Sequence, residues 1–157
     1  KYFNRNLDIP LTQNTARPNN FRDLEIYRQV NIAKHKGINL KYNELDENLR
    51  THKHTDKFLD RYKTLTWDSP SHTIVAHIAK DGHHYIHPDL NQNRSITVRE
   101  AARLQGFPDD FYFEKSRTSA FTQIGNAVPP ILSQVFAEVI DNIYKLQFGD
   151  NEPHPKS

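Results

Sequence analysis

Two adjacent prolines, Pro129 and Pro130, open a stretch in which Leu132, Val135, Phe136, Val139, Ile140, Ile143 and Leu146 fall on one face of a helix, and Gly149 follows. Proline fits the first turn of a helix, whose N–H groups have no intrahelical acceptor to lose. An apolar stripe at spacings of three and four then predicts an amphipathic helix over residues 130–148 that needs a surface to cover it. No other element constrains the chain as strongly.

The rest of the chain reads as shorter pieces. Residues 1–20 carry scattered Asn, Pro and Thr and form an irregular arm. Asn20 caps a helix to about His35, with Phe21, Leu24, Tyr27, Val30 and Ala33 recurring every third residue, and Gly37 stops it. Residues 38–53 suggest turns or one weak helix, and 55–62 a short helix packing Phe58, Leu59 and Tyr62 inward. The β-branched run 72–79, the Lys80-Asp81-Gly82 turn and the segment 83–88 predict a β-hairpin. Thr97 and Glu100 have capping-box spacing, so a helix should run from Val98 to about Gln105. A further short helix is expected over 116–124. The fold class expected is α+β: a small mixed domain with a hairpin and short helices, ending in the long amphipathic helix.

Composition removes several functions. No apolar run approaches the roughly 18 residues of a membrane span, and a cytoplasmic, membrane-free chain is expected. With no cysteine, no disulfide, thiolate metal site or cysteine nucleophile is possible. Lys and Arg number 21 against 19 Asp and Glu, a net charge of +2, too balanced to announce nucleic-acid binding. From Lys34 to Leu65 the chain is mildly basic, compatible with a phosphate backbone but read more simply as a solvated face. Natural chains begin with Met, so Lys1 suggests an internal residue of a longer protein.

Nine histidines, among them His52, His54, His83, His84 and His87, raise a metal site, but nothing in their spacing makes three converge, so surface histidines are the expected reading and no metal is assigned. No Gly-rich phosphate loop, His-Glu-x-x-His or Gly-x-Ser-x-Gly element is present. Residues 94–113, RSITVREAARLQGFPDDFYF, form the densest cluster. Structurally this is a capped helix followed by a turn burying Phe107. Functionally, Arg99 and Arg103 sit four apart and can point the same way, toward phosphates or toward carboxylates elsewhere. The residues alone leave both open.

RSITVREAARLQGFPDDF followed by QIGNAVPP, residues 123–130, resembles the last two shared blocks of the C5-cytosine DNA methyltransferases, in order, spacing and the helix that follows. The resemblance covers roughly residues 72–148. It implies methyl transfer from S-adenosylmethionine to C5 of a cytosine flipped out of duplex DNA, of the kind found in restriction-modification. It also implies a Rossmann-like cofactor lobe, absent from this chain, onto which the long helix normally packs. Gly125, Asn126, Ala127 and Val128 are then expected beside the cofactor, with Gly125-Asn126 as a turn. Arg94, Thr97, Arg99, Glu100 and Arg103 are expected to organise the recognition lobe, with Arg94, Arg99 and Arg103 possible DNA-backbone contacts. Thr73 and Ile74 are expected near the flipped nucleotide. Residues 21–93 would be the target-recognition region, 94–148 the shared motifs and helix, and 149–157 a tail.

The family's Pro-Cys nucleophile, Glu-Asn-Val motif, Arg-x-Arg element and Gly-rich cofactor motif are not in this sequence. Without a thiolate, C6 of cytosine cannot be attacked and C5 is not activated, so this chain has no catalytic residue and should be inactive alone. It is expected to be an excised C-terminal part, or one subunit of a split enzyme, whose partners are duplex DNA and an N-terminal catalytic domain on the same or a partner chain. Two other classes stay in play: a non-enzymatic DNA-binding module with the 98–105 helix in a groove, and a protein-interaction domain docking through the long helix. Against the former, VREAARLQ gives half its positions to apolar residues.

Overall fold

The computed structural model describes residues 10–51, 56–80 and 82–149. The chain divides into two compact units that meet in sequence at Asn126 and Ala127. The first holds α1 (Phe21–His35), α2 (Val98–Leu104) and α3 (Arg117–Asn126), with short 3-10 turns at Tyr42–Glu44, Glu47–Leu49, Ala76–Ala79 and Gly82–His84. The second holds α4 (Pro130–Phe148).

α1 forms as its sequence dictates. The Asn20 Oδ1 accepts the Asp23 N–H at 2.8 Å, Asp23 favours the positive end of the helix dipole, and Lys34 and His35 favour the negative end. Gly37 takes φ 78°, a left-handed conformation that glycine adopts without steric cost. The buried face is Ile26, Tyr27, Val30 and Asn31: Tyr27 and Val30 belong to the expected three-residue repeat, whereas its first member, Phe21, is exposed. Spacings of three and four track a helical face; a strict spacing of three drifts off it. Ile26, Tyr27 and Val30 pack with Tyr42, Leu45, Leu49, Tyr62 and Ile86 into one core. The Tyr42 and Tyr62 rings stack at 6.1 Å.

The α+β expectation is overturned: the described residues contain no strand and are mostly helices and turns. Among the described residues extended pairing survives only as two isolated bridges, Ile86 parallel to Thr64 and antiparallel to Ser95. Ile86 thus lies between neighbours from other parts of the chain, not across from 72–79. The physical reason is visible at Tyr85. Its hydroxyl donates to the Thr73 carbonyl at 2.9 Å and accepts the Val75 N–H at 3.3 Å. Backbone groups that a hairpin ladder would have paired are satisfied by a side chain instead. Past Val75 the chain closes into the Ala76–Ala79 turn, with Ile74 and Ile78 buried; β-branched residues follow packing rather than an intrinsic strand preference. Asp81, in the expected hairpin turn, lies outside the described residues.

The helix expected over 55–62 is also absent from its described part. Phe58 takes φ 54° and is 78 % exposed, while Tyr62 alone of the expected trio is fully in the core. Residues 38–53 become two 3-10 turns in their described part. α2 matches expectation, including its reciprocal box: Glu100 N–H donates to Thr97 Oγ1 at 3.1 Å and Thr97 N–H to Glu100 Oε2 at 2.7 Å. α3 runs two residues further than expected, so Gly125 and Asn126 are its last residues and not a turn.

Taken by itself, α4 begins behind Pro129 and ends at Gly149, as its sequence signals require. None of its residues is buried. Leu132, Val135, Phe136, Val139, Ile140, Ile143 and Leu146 are all exposed. Among the described residues, no helix is long and apolar enough to cross a membrane.

Candidate functional site

α3 buries Ala120, Phe121 and Ile124, and packs against the Ala76–Ala79 turn and α2. Ser119 N–H donates to Ser116 Oγ at 3.2 Å, which closes the start of the helix. Gly125 lies one turn beyond Phe121 on the side facing the Ala76–Ala79 turn. A β-carbon placed on it would stand 2.4 Å from both the Ala76 nitrogen and the Val75 carbonyl carbon. Those atoms are backbone and cannot rotate away, so only glycine permits this approach.

The contact joins two of the segments singled out from sequence. Gly125-Asn126 ends α3, and Thr73-Ile74 leads into the turn that α3 touches. Ile74 is 3 % exposed and belongs to the core, whereas Thr73 is exposed, its carbonyl held by the Tyr85 hydroxyl. The His72 ring stacks on Tyr85 at 4.6 Å. Burial lowers the His72 pKa, with Lys63 adding to the effect. Asn126 and Val128 are exposed, and Ala127 is half-buried. Tyr85, which organises this region, carried no sequence signal beyond being an aromatic in a presumed strand.

The arginines of residues 94–103 are directed inward or to acids. Arg99 is 0 % exposed. Its guanidinium donates to the carbonyls of Thr12 at 3.2 Å, Pro108 at 3.1 Å and Phe111 at 2.8 Å, and to Thr12 Oγ1 at 3.2 Å. Burial lowers its pKa, against the pull of Asp109. Arg94 makes a two-pronged pair with Glu100, both contacts 2.7 Å. Burial raises the Glu100 pKa, but the Arg94 hydrogen bonds, the Thr97 N–H and the Arg94 charge outweigh it, and the carboxylate is held below its usual value. Arg103 grips Asp109 through two contacts of 2.8 Å, which lowers the acid's pKa and raises the base's. A cleft of about 610 Å³ opens beside them, with Trp67, His87, Glu100, Arg103 and Asp109 in its lining.

Gln13 is the clearest residue that sequence reading missed. Its amide donates to the Phe113 carbonyl at 2.8 Å and accepts the Phe113 N–H at 3.1 Å, pairing a backbone unit as a strand neighbour would. It sits in the segment read as an irregular arm, and nothing in its local sequence marks it. Among the described residues, no group of three or more His, Cys, Asp or Glu could hold a metal. His52 and His54 lie outside those residues, and the His83 Nδ1 lies 2.7 Å from the Tyr27 hydroxyl.

Residues 4–142 match the C-5 cytosine-specific DNA methylase family. The chain is 53 % identical over 135 residues to the Type II methyltransferase M.Bpa9945I of Bacillus paralicheniformis, covering 86 % of this chain and 30 % of that protein. It is 51 % identical over 83 residues to the Type II methyltransferase M.AgeI of Thalassovita gelatinovora, covering 53 % of this chain and 19 % of that one. The chain thus spans less than a third of the length of these relatives. No solved structure matches it. With the match extending over nearly its whole length, the chain belongs to the C-5 cytosine-specific DNA methylase family.

Proposed function

We propose that this chain supplies the DNA-recognition and cofactor-closing part of a DNA (cytosine-5-)-methyltransferase, working with a catalytic portion that carries the thiolate. Thr73 faces DNA near the flipped nucleotide, and Asn126 faces the methionine end of S-adenosylmethionine, flanked by Ala127 and Val128. Gly125 and Ile74 position these two residues. Arg99 is a positioning residue inside the lobe, and Arg94 and Arg103 keep the surface of α2 in shape through Glu100 and Asp109. The cofactor supplies the methyl group; this chain's part is to hold, orient and enclose.

The observation that carries the reading is the backbone contact of Gly125 with Val75 and Ala76. It ties the DNA-facing segment to the cofactor-facing one with no flexible side chain between them, so the two ligands can be registered against one another. Asn126 fits the role, since its side chain is exposed at the end of α3 and an amide can both donate and accept. The absence of cysteine supports inactivity of the chain alone.

The test is a reconstitution. This chain should transfer no labelled methyl group to duplex DNA by itself, and transfer should follow when the catalytic portion is supplied. In the complete enzyme, Asn126→Ala should raise the KM for S-adenosylmethionine more than the Kd for DNA. The reverse pattern would remove Asn126 from the cofactor.

A further inference from the structure

Another cleft, of about 440 Å³, is lined by Phe58, Arg61, Tyr62, His77, Lys80, His83 and His84. Among the described residues every group in that lining is an aromatic ring or a nitrogen base, and the nearest acid acting on it is Asp60, whose carboxylate His84 helps to hold below its usual pKa. Arg94 and Arg103, by contrast, each face an acid, and Arg99 faces backbone carbonyls. Outside α2, then, the turn that follows Thr73 carries a basic surface of its own.

Phe58 is the unusual member. A bulky side chain at φ 54° occupies a sparsely populated backbone region, and its ring gains nothing from burial, being 78 % exposed. Such a conformation persists only when its surroundings enforce it, and it concentrates at functional sites. Arg61 enforces it here. Its guanidinium donates to the carbonyls of Phe58 at 3.1 Å and Lys57 at 3.2 Å, and it lies 4.2 Å over the Tyr42 ring. Arg61 therefore anchors the exposed ring to the core, and the ring stands at the mouth of a basic cleft. An aromatic beside cations is what a nucleic-acid strand engages: cations meet phosphate and the ring meets a sugar or base.

We propose that this cleft holds a phosphate of the duplex through Lys80 and His84, with the Phe58 ring packed against the adjoining nucleotide. The proposal rests on the reading that the chain handles DNA, and it moves the backbone grip from the arginines of α2 to the cleft. Its location explains how the grip would reach the target: His77 lies within the Ala76–Ala79 turn that follows Thr73 and Lys80 caps it, so a phosphate held there fixes the strand against the residue assigned to the flipped nucleotide.

The experiment measures binding of a fluorescent duplex to the complete methyltransferase carrying this chain, across a series of salt concentrations. Lys80→Gln should reduce the slope of log affinity against log salt by about 0.9, the value of one phosphate contact. Phe58→Ala should weaken binding by roughly fivefold or more with the slope unchanged, because an apolar contact releases no counterion. Lys36→Gln, an exposed cation outside the cleft with the same change in charge, serves as the reference and should leave the slope near wild type. Circular dichroism confirms that each variant is folded. A wild-type slope in Lys80→Gln, or an equal drop in Lys36→Gln, overturns the cleft while leaving the enzyme reading intact. A wild-type protein that fails to bind duplex DNA overturns both.

Discussion

Replacing Gly125 by alanine puts one methyl group where the structure has no room. The added carbon would lie 2.4 Å from the Ala76 nitrogen and the Val75 carbonyl carbon, where ordinary contact begins at 3.4 Å. The deficit is about 1 Å, and because both opposing atoms are backbone, α3 must back away from the turn by that amount. Overpacking of this kind costs about 1–3 kcal/mol. Alanine returns at most about 1 kcal/mol, the intrinsic helical advantage over glycine, and less near a helix end. The clash should win, leaving a net loss of about 1–2 kcal/mol. For a chain of this size that lowers Tm by about 2–8 °C. Trp67, the only tryptophan, packs edge-on to His87 at 5.5 Å in the first unit and reports its unfolding. The sign decides the matter. A glycine facing open space would give a more stable alanine variant, so an unchanged or raised Tm would refute the close contact of α3 with Val75 and Ala76.

Two further outcomes follow from the buried charges. Arg99→Met should destabilise the fold by several kcal/mol, since the carbonyls of Thr12, Pro108 and Phe111 each lose a donor at about 1–3 kcal/mol when buried; urea unfolding measures it, and a variant as stable as wild type would show that water replaces the guanidinium. The Glu100 carboxylate is held below the ordinary glutamate value of 4.5, so its contribution to stability is complete above that pH and is lost as pH falls through the lowered folded value. Arg94→Gln should therefore move the acid-unfolding midpoint to higher pH, and superimposable acid titrations of the two proteins would refute the Arg94–Glu100 coupling.

Elements written in local signals were legible in the sequence. Asn20 and Gly37 bound α1, Thr97 and Glu100 start α2, and Pro129 to Gly149 frames α4, because caps and prolines act within a single turn. Where long-range contacts decide, local reading failed. The β-branched residues at 72–79 gave no warning that the Tyr85 hydroxyl would take up the backbone of Thr73 and Val75. Phe58 was expected inside because it is apolar, yet Arg61 holds its carbonyl and leaves the ring outside. For the candidate site, the family resemblance singled out Thr73, Gly125 and Asn126, and nothing in the sequence announced the packing that joins Gly125 to the turn after Thr73. Arg99 and Arg103 looked interchangeable on one helix, and only the tertiary fold separates the buried residue from the exposed one.

Gln13 and Phe113 exchange two hydrogen bonds across 100 positions of sequence, and Arg99 reaches back 87 positions to Thr12. Closing loops of that size is entropically slow compared with forming the capped helices between them. On a ribosome adding roughly 5–20 residues per second, the segment around Gln13 emerges roughly 5–20 seconds before its partner exists. This stitch of the first unit is thus timed by synthesis itself, and it is drawn only after Phe113 has cleared the exit tunnel.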